Sequence, residues 1–181
     1  MPDLVDVLQP TEHSLGRKTA LVTLIEYADF TSRTCRDAAP ILKALLSEFG
    51  TNIRILFRHY PGDSEEAQLA AEAAEAAAAQ GRFWAMHDKL FQHQDDLEPS
   101  ALVRYAYLLG LDLDRFARDL IRRRFRASVE RDIESGNESG VDAAPTFFLN
   151  GSRYAGDYSY DRFRAIIARL IGRDAEILYS E

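Results

Sequence analysis

Between residues 20 and 27 the chain reads ALVTLIEY, a short β-branched apolar run of the kind that a parallel or mixed sheet buries on both faces. From Ser32 the apolar positions move to three- and four-residue spacings. Ala38, Ile41, Leu42, Leu45, Leu46 and Phe49 predict a helix that Gly50 closes and Pro40 kinks. Period two returns over 52–60, with Ile53, Ile55 and Phe57 on one side and Arg54, Leu56 and Arg58 on the other. Strand, helix and strand in that order make a right-handed crossover unit.

The next stretch, SEEAQLAAEAAEAAAAQ at 64–80, has very high helix propensity, with Ser64 as its cap and Gly81 as its stop. RFWAMHDKLFQHQ continues helically with Phe83, Met86 and Leu90 inward, and two more amphipathic segments carry the pattern to about residue 136. Within them, Arg122–Arg126 (RRRFR) reads as a solvated helix face around one buried phenylalanine. APTFFLNG and SRYAG then form a hairpin pattern about Asn150-Gly151, and YDRFRAIIARLIG supplies a last helix. The order is β-α-β, a helical block, then β-β-α, which is an α/β chain.

The formal charge of −7 argues against a nucleic-acid partner, because binding to a phosphate backbone rests on a basic face. One cysteine among 181 residues excludes an internal disulfide, so any redox step needs a second molecule. No membrane span is predicted. The N-terminal stretch lacks the basic and apolar regions of an export signal, so the expected location is cytoplasmic, or periplasmic if a signal was trimmed. The four histidines show no metal-ligand spacing with Cys35 or with one another, and no metal site is expected. His59 reads as a structural histidine near the end of the second strand.

Four stretches, VTLIEYADF, RHYPG, AAEAAEAAAAQGRFWAMHDKLF and SGVDAAPTFFLNG, resemble, in order, those of bacterial DsbA-like thiol-disulfide oxidoreductases. The resemblance covers roughly residues 12–171. It implies a thioredoxin fold with a core at 12–62 and 141–172, a helical insertion at 63–140 between the second and third core strands, and terminal extensions at 1–11 and 173–181. In that family the residues after the first strand hold Cys-x-x-Cys, an exposed low-pKa nucleophile followed by a resolving thiol. Here they are Ser32-Arg33-Thr34-Cys35. Cys35 stands five residues before Pro40, similar to the spacing from the family's second cysteine to its helix proline. By that register Cys35 holds the resolving position and Ser32 the nucleophile's place.

A hydroxyl ionises far above a thiol and forms no disulfide, but it makes a good helix cap, accepting from the amide of Thr34 or Cys35. Cys35 reads either as an inert small hydrophobe or as a thiol that the helix start and the cations Arg33 and Arg36 favour as thiolate. Glu26 is costly in its apolar strand unless paired or protonated. It lies six residues before Ser32, where the resemblance implies a proton-relaying glutamate. The resemblance also implies that Pro145, after Ala144, is a cis-proline facing the active-site helix. It would present backbone groups to an extended peptide, alongside Arg33 and Thr34 as substrate-binding residues.

Three functions follow as expectations. The first is one-cysteine chemistry, in which Cys35 forms mixed disulfides with a protein thiol or with glutathione. The second is non-covalent glutathione binding through the Ser32 hydroxyl, as in kappa-class transferases. Those proteins follow the serine with Pro-Tyr, where this chain has Arg33-Thr34. The third is a redox-inactive module that holds extended peptides. No resident cofactor is expected, with glutathione the one small molecule that the resemblance admits.

Overall fold

The computed structural model describes Leu4 and residues 13–178, so most of the extension expected at 1–11 and the last residues of that at 173–181 lie outside it. Strand β1 (His13–Gly16) precedes β2 (Val22–Ala28), α1 (Arg33–Phe49) and β3 (Ile53–His59). Five helices follow: α2 (Glu65–Ala78), α3 (Phe83–Gln92), α4 (Pro99–Leu108), α5 (Leu113–Ile121) and α6 (Arg126–Glu138). The chain returns to the sheet with β4 (Thr146–Leu149) and β5 (Ser152–Arg153) and ends in α7 (Tyr160–Leu178). The sheet order is β1-β3-β2-β4-β5. Among the described strands only β2 and β3 are parallel, joined through α1 as the crossover expected of the inserted thioredoxin arrangement.

Local chemistry accounts for the element ends. Ser64 Oγ accepts from Ala67 N at 3.1 Å and opens α2, and Gly50 ends α1 in a positive-φ conformation that a residue with a Cβ rarely adopts. α1 runs unbroken through the exposed Pro40. Asn150 and Gly151 both take positive φ, as a tight hairpin between β4 and β5 requires.

Each sheet face has its own core. Val22, Leu24, Ile53, Ile55, Phe147 and Leu149 pack under α1 and α7, whereas Ile25, Tyr27, Leu56 and Phe148 face the other way. All seven residues of β3 are buried, arginines included. Arg58 keeps its charge inside by donating to Tyr27 OH at 2.8 Å and Ser135 Oγ at 3.0 Å. α6 reaches the sheet this closely because Gly136 has no Cβ; one built there would lie 2.9 Å from the Tyr60 ring. A third core joins α2, α3, α4 and α5 to the ends of β2 and β3 through Phe30, Phe57, Phe83, Met86, Leu90 and Phe116.

Two expectations are corrected. β1 adds an antiparallel edge to β3 that no hydrophobic alternation in HSLG announced. The RRRFR run is a turn between α5 and α6 rather than a helix face. Arg123 there has φ of 49° and its guanidinium engages the buried Glu72 carboxylate at 2.8 Å, while Phe125 is only half-buried.

Candidate functional site

The link from β2 to α1 is a turn built by Asp29. Its Oδ1 accepts from Thr31 N at 2.7 Å and Thr31 Oγ1 at 2.8 Å, and its Oδ2 accepts from Gly62 N at 3.0 Å. From the insertion, Gln94 Nε2 donates to Phe30 O at 2.7 Å and Ser32 O at 2.8 Å, fixing the chain just before α1. Ser32 is therefore held as N-cap, with Oγ accepting from Cys35 N at 3.3 Å and lying 2.8 Å from Thr34 Oγ1. Its hydroxyl also reaches across to Ala144 O at 3.4 Å.

The Ala144–Pro145 peptide is cis, as the resemblance implied. Pro145 is buried and Ala144 half-buried; Tyr158 OH donates to Pro145 O at 3.0 Å and Thr146 Oγ1 to Ala143 O at 2.6 Å. The loop is thus pinned on both sides of the proline and faces the α1 N-terminus. Arg33 and Thr34 are exposed on the first turn beside it.

Cys35 lies beneath this surface with no exposed area. Burial pushes its thiol up to about 12, and a nearby Glu26 carboxylate would act in the same direction. Hydrogen bonds to sulfur from the Asp29 amide, at 3.5 Å, and from Ser32 oppose this and are outweighed. The expectation that the helix start and the cations Arg33 and Arg36 favour a thiolate is thereby corrected: the sulfur lies inside, and Arg36 instead meets Asp37 at 3.3 Å. Moving a thiol from 9.0 to about 12 lowers its thiolate fraction about a thousandfold. Native protein is accordingly expected to react with iodoacetamide at pH 8 at least about a thousandfold more slowly than the chain in denaturant. Comparable rates would show an accessible thiol.

Glu26 occupies the middle of β2, opposite Phe57 on β3 and Phe147 on β4, on the pleat face of Val22 and Leu24. Only 2 % of its surface is exposed, and Oε1 has no hydrogen-bond partner among the described residues. Burial raises its pKa to about 8, so Glu26 is largely protonated at neutral pH. A protonated Glu26 leaves Cys35 perturbed chiefly by burial.

The structure thus brings Ser32, Thr34, Cys35 and Ala144–Pro145 together with Glu26 close enough to affect the Cys35 thiol, and leaves Arg33 on the rim. His59 is displaced toward the insertion, its Nε2 2.9 Å from Glu75 Oε1. Sequence reasoning missed Asp29, Gln94 and Tyr158. Asp29 was legible as an Asx turn in Asp-Phe-Thr, but Gln94 and Tyr158 act from distant elements and carried no local signal.

Comparison with known proteins agrees with the fold. The family described as Thioredoxin matches residues 8–169. Oxidised BdbD from Bacillus subtilis superimposes with a TM-score of 0.83 at 22% identity, covering 90% of this chain and 94% of that one. α-DsbA1 of Wolbachia pipientis gives 0.84 at 21% identity, covering 94% and 96%. In sequence, the chain is 43% identical over 170 residues to a Salinispora tropica protein named Na(+)/H(+) antiporter NhaA 3, covering 91% of this chain and 26% of that protein. The chain spans about a quarter of the length of the curated relatives it matches.

Proposed function

We propose, on the premise that this chain belongs to the thioredoxin family, that it is a DsbA-like module that holds extended polypeptide non-covalently along its cis-proline loop and exchanges no disulfides by itself. The observation that carries this reading is the Ser32 hydroxyl at the mouth of the site, 3.4 Å from Ala144 O, with Cys35 sealed below it. A hydroxyl there forms no disulfide. Mixed disulfides through Cys35 require a thiolate and a path to it, and burial opposes both. The docking surface is intact: a pinned loop offers backbone groups to an extended strand, and Arg33 adds an exposed cation at the helix start.

Permanently unfolded, carboxymethylated α-lactalbumin is a suitable probe, since it offers extended chain and no thiol. Titrated into isotope-labelled protein, it is expected to shift the amides of 142–147 and 32–36 and leave those of α4 and α5 unmoved. Unchanged spectra at millimolar probe would rule the reading out.

The match to proteins named as antiporters favours a second reading of the partner, namely that the polypeptide held is an extramembrane segment of a transporter, in the same chain or another. No helix among the described residues is long and apolar enough to cross a membrane. Repeating the titration with peptides copied from the extramembrane loops of such an antiporter separates this partner from unfolded chain in general.

A further inference from the structure

His13 on β1, His59 at the end of β3 and Glu75 on α2 meet where the helical block packs against the sheet. His59 Nε2 lies 2.9 Å from Glu75 Oε1, and His13 Nε2 contacts the same oxygen. The three donor atoms are all within 4.8 Å of one another. We infer that His13, His59 and Glu75 form a binding site for a divalent transition-metal ion of the zinc type, taken by two imidazole nitrogens and one carboxylate oxygen.

The donor set suits such an ion, since two histidines and a glutamate with one position left open make a three-ligand zinc site. Metal–ligand bonds of about 2.0–2.1 Å set the donors of a tetrahedral site roughly 3.3 Å apart. The 2.9 Å contact opens by a few tenths of an ångström and the donors farthest apart, within 4.8 Å, draw together by up to about 1.5 Å. The open position has somewhere to face. A cavity of about 600 Å³ adjoins the cluster, lined by His13, Glu75, Phe83, Trp84 and Ser128 among others.

Charge points the same way. Glu75 is buried and its carboxyl oxygen faces both imidazoles, so a negative ligand sits between the two nitrogen donors. A second carboxyl, Asp132, accepts from the His59 backbone N–H at 2.9 Å. The cations nearby are Arg82, on the cavity rim, and Arg58, which acts on Asp132.

The imidazoles are held ready. His13 stacks on Phe83 with ring centroids 3.5 Å apart and planes 4° from parallel, and His59 stands edge-on to Phe57 at 5.2 Å. His59 Nδ1 is buried with no hydrogen-bond partner among the described residues, and Nε2 faces the Glu75 carboxylate, so an ion binding there displaces the Nε2 proton. An ion bound here ties β1, β3 and α2 together and clamps the helical block to the sheet. The site is separate from the Ser32 surface, although Phe30, two residues before Ser32, sets its ring 6.0 Å from that of His59.

The test is calorimetric titration of the EDTA-stripped full chain with zinc chloride, with cobalt(II) absorption as a second readout. One equivalent is expected to bind, with cobalt bands of nitrogen and oxygen ligation and no thiolate charge transfer from Cys35. His13→Asn and Glu75→Gln are each expected to weaken binding at least about a hundredfold, since losing even a residue that only supports a ligand costs about 10- to 100-fold. His93→Asn, on an exposed residue outside the cluster, leaves it unchanged. Zinc raises the thermal midpoint of the native chain and leaves that of His13→Asn unmoved, which distinguishes lost ligation from a damaged fold. Absence of one-equivalent binding overturns the inference and leaves a hydrogen-bonded cluster only; binding that survives both substitutions overturns it equally.

Discussion

Ser32→Cys is expected to turn the chain into a working dithiol, oxidised by glutathione disulfide to an internal bond between the introduced sulfur and that of Cys35, with the loss of two hydrogens. Residues three apart at a helix start fall within the about 4.4–6.8 Å of Cα separation that a disulfide spans. The new sulfur takes the place of an oxygen already seated over the amide of Cys35, where the helix N-terminus stabilises a thiolate. Glu26, near enough to act on the Cys35 thiol, is mostly neutral at pH 7 and adds no repelling charge. In the reduced variant the introduced thiolate attacks an insulin disulfide and Cys35 then displaces the reduced product, leaving the internal disulfide; with dithiothreitol present to reduce that bond again, insulin reduction rises from the dithiothreitol background to catalytic turnover. Failure of mass spectrometry to find the internal disulfide, in a variant that folds, would mean that the frame around Ser32 is not the family's redox frame. The result also bears on the proposed function, because it separates a loss of chemistry at one atom from a loss of the whole site.

What made Ser32 readable in advance was register. The five-residue step from Cys35 to Pro40 and the six-residue step from Ser32 back to Glu26 are local, and local spacing survives in a sequence. The crossover, the alanine-rich helix and the Asn150-Gly151 hairpin were legible for the same reason, each resting on periodicity or turn chemistry within one segment. The burial of Cys35 was not. Its position one turn into α1 fits a half-exposed thiol as well as a sealed one. What seals it is Phe57 and the inserted helices, brought there by tertiary packing. The RRRFR turn escaped because helical periodicity runs smoothly across it, and its break lies in the positive φ of Arg123 and the ion pair to Glu72 on another helix. The histidine cluster escaped most completely. Metal-ligand spacing is a rule about neighbours in sequence, and His13, His59 and Glu75 come from a strand, a second strand and a helix.

Replacing Glu26 by Gln is expected to change the pH dependence of stability more than any other single neutralisation in the core. A carboxyl whose folded pKa is raised to about 8 keeps its proton in the folded state, whereas the unfolded chain releases it above 4.5. Between those values the unfolded state binds fewer protons, so Glu26 makes stability fall as pH rises, by about 1.4 kcal/mol per unit. Its contribution is fully present below 4.5 and lost by about 8. The amide does not titrate. The stability of Glu26→Gln relative to the native chain is therefore expected to climb through pH 5–8 by roughly 4 kcal/mol in all, read from urea midpoints at each pH. Any constant penalty for burying the amide N–H groups shifts that difference without tilting it. Other titrating groups cancel: Glu75, held at about 2, is ionised in both states over this window, and the burial-lowered His87 contributes equally to both proteins. A flat difference would mean that Glu26 finds a partner when it ionises and is no proton store. A rising one would show that the fold carries a protonated carboxyl in β2, near Cys35, at a stability cost, and that a proton donor for that thiol is already in place.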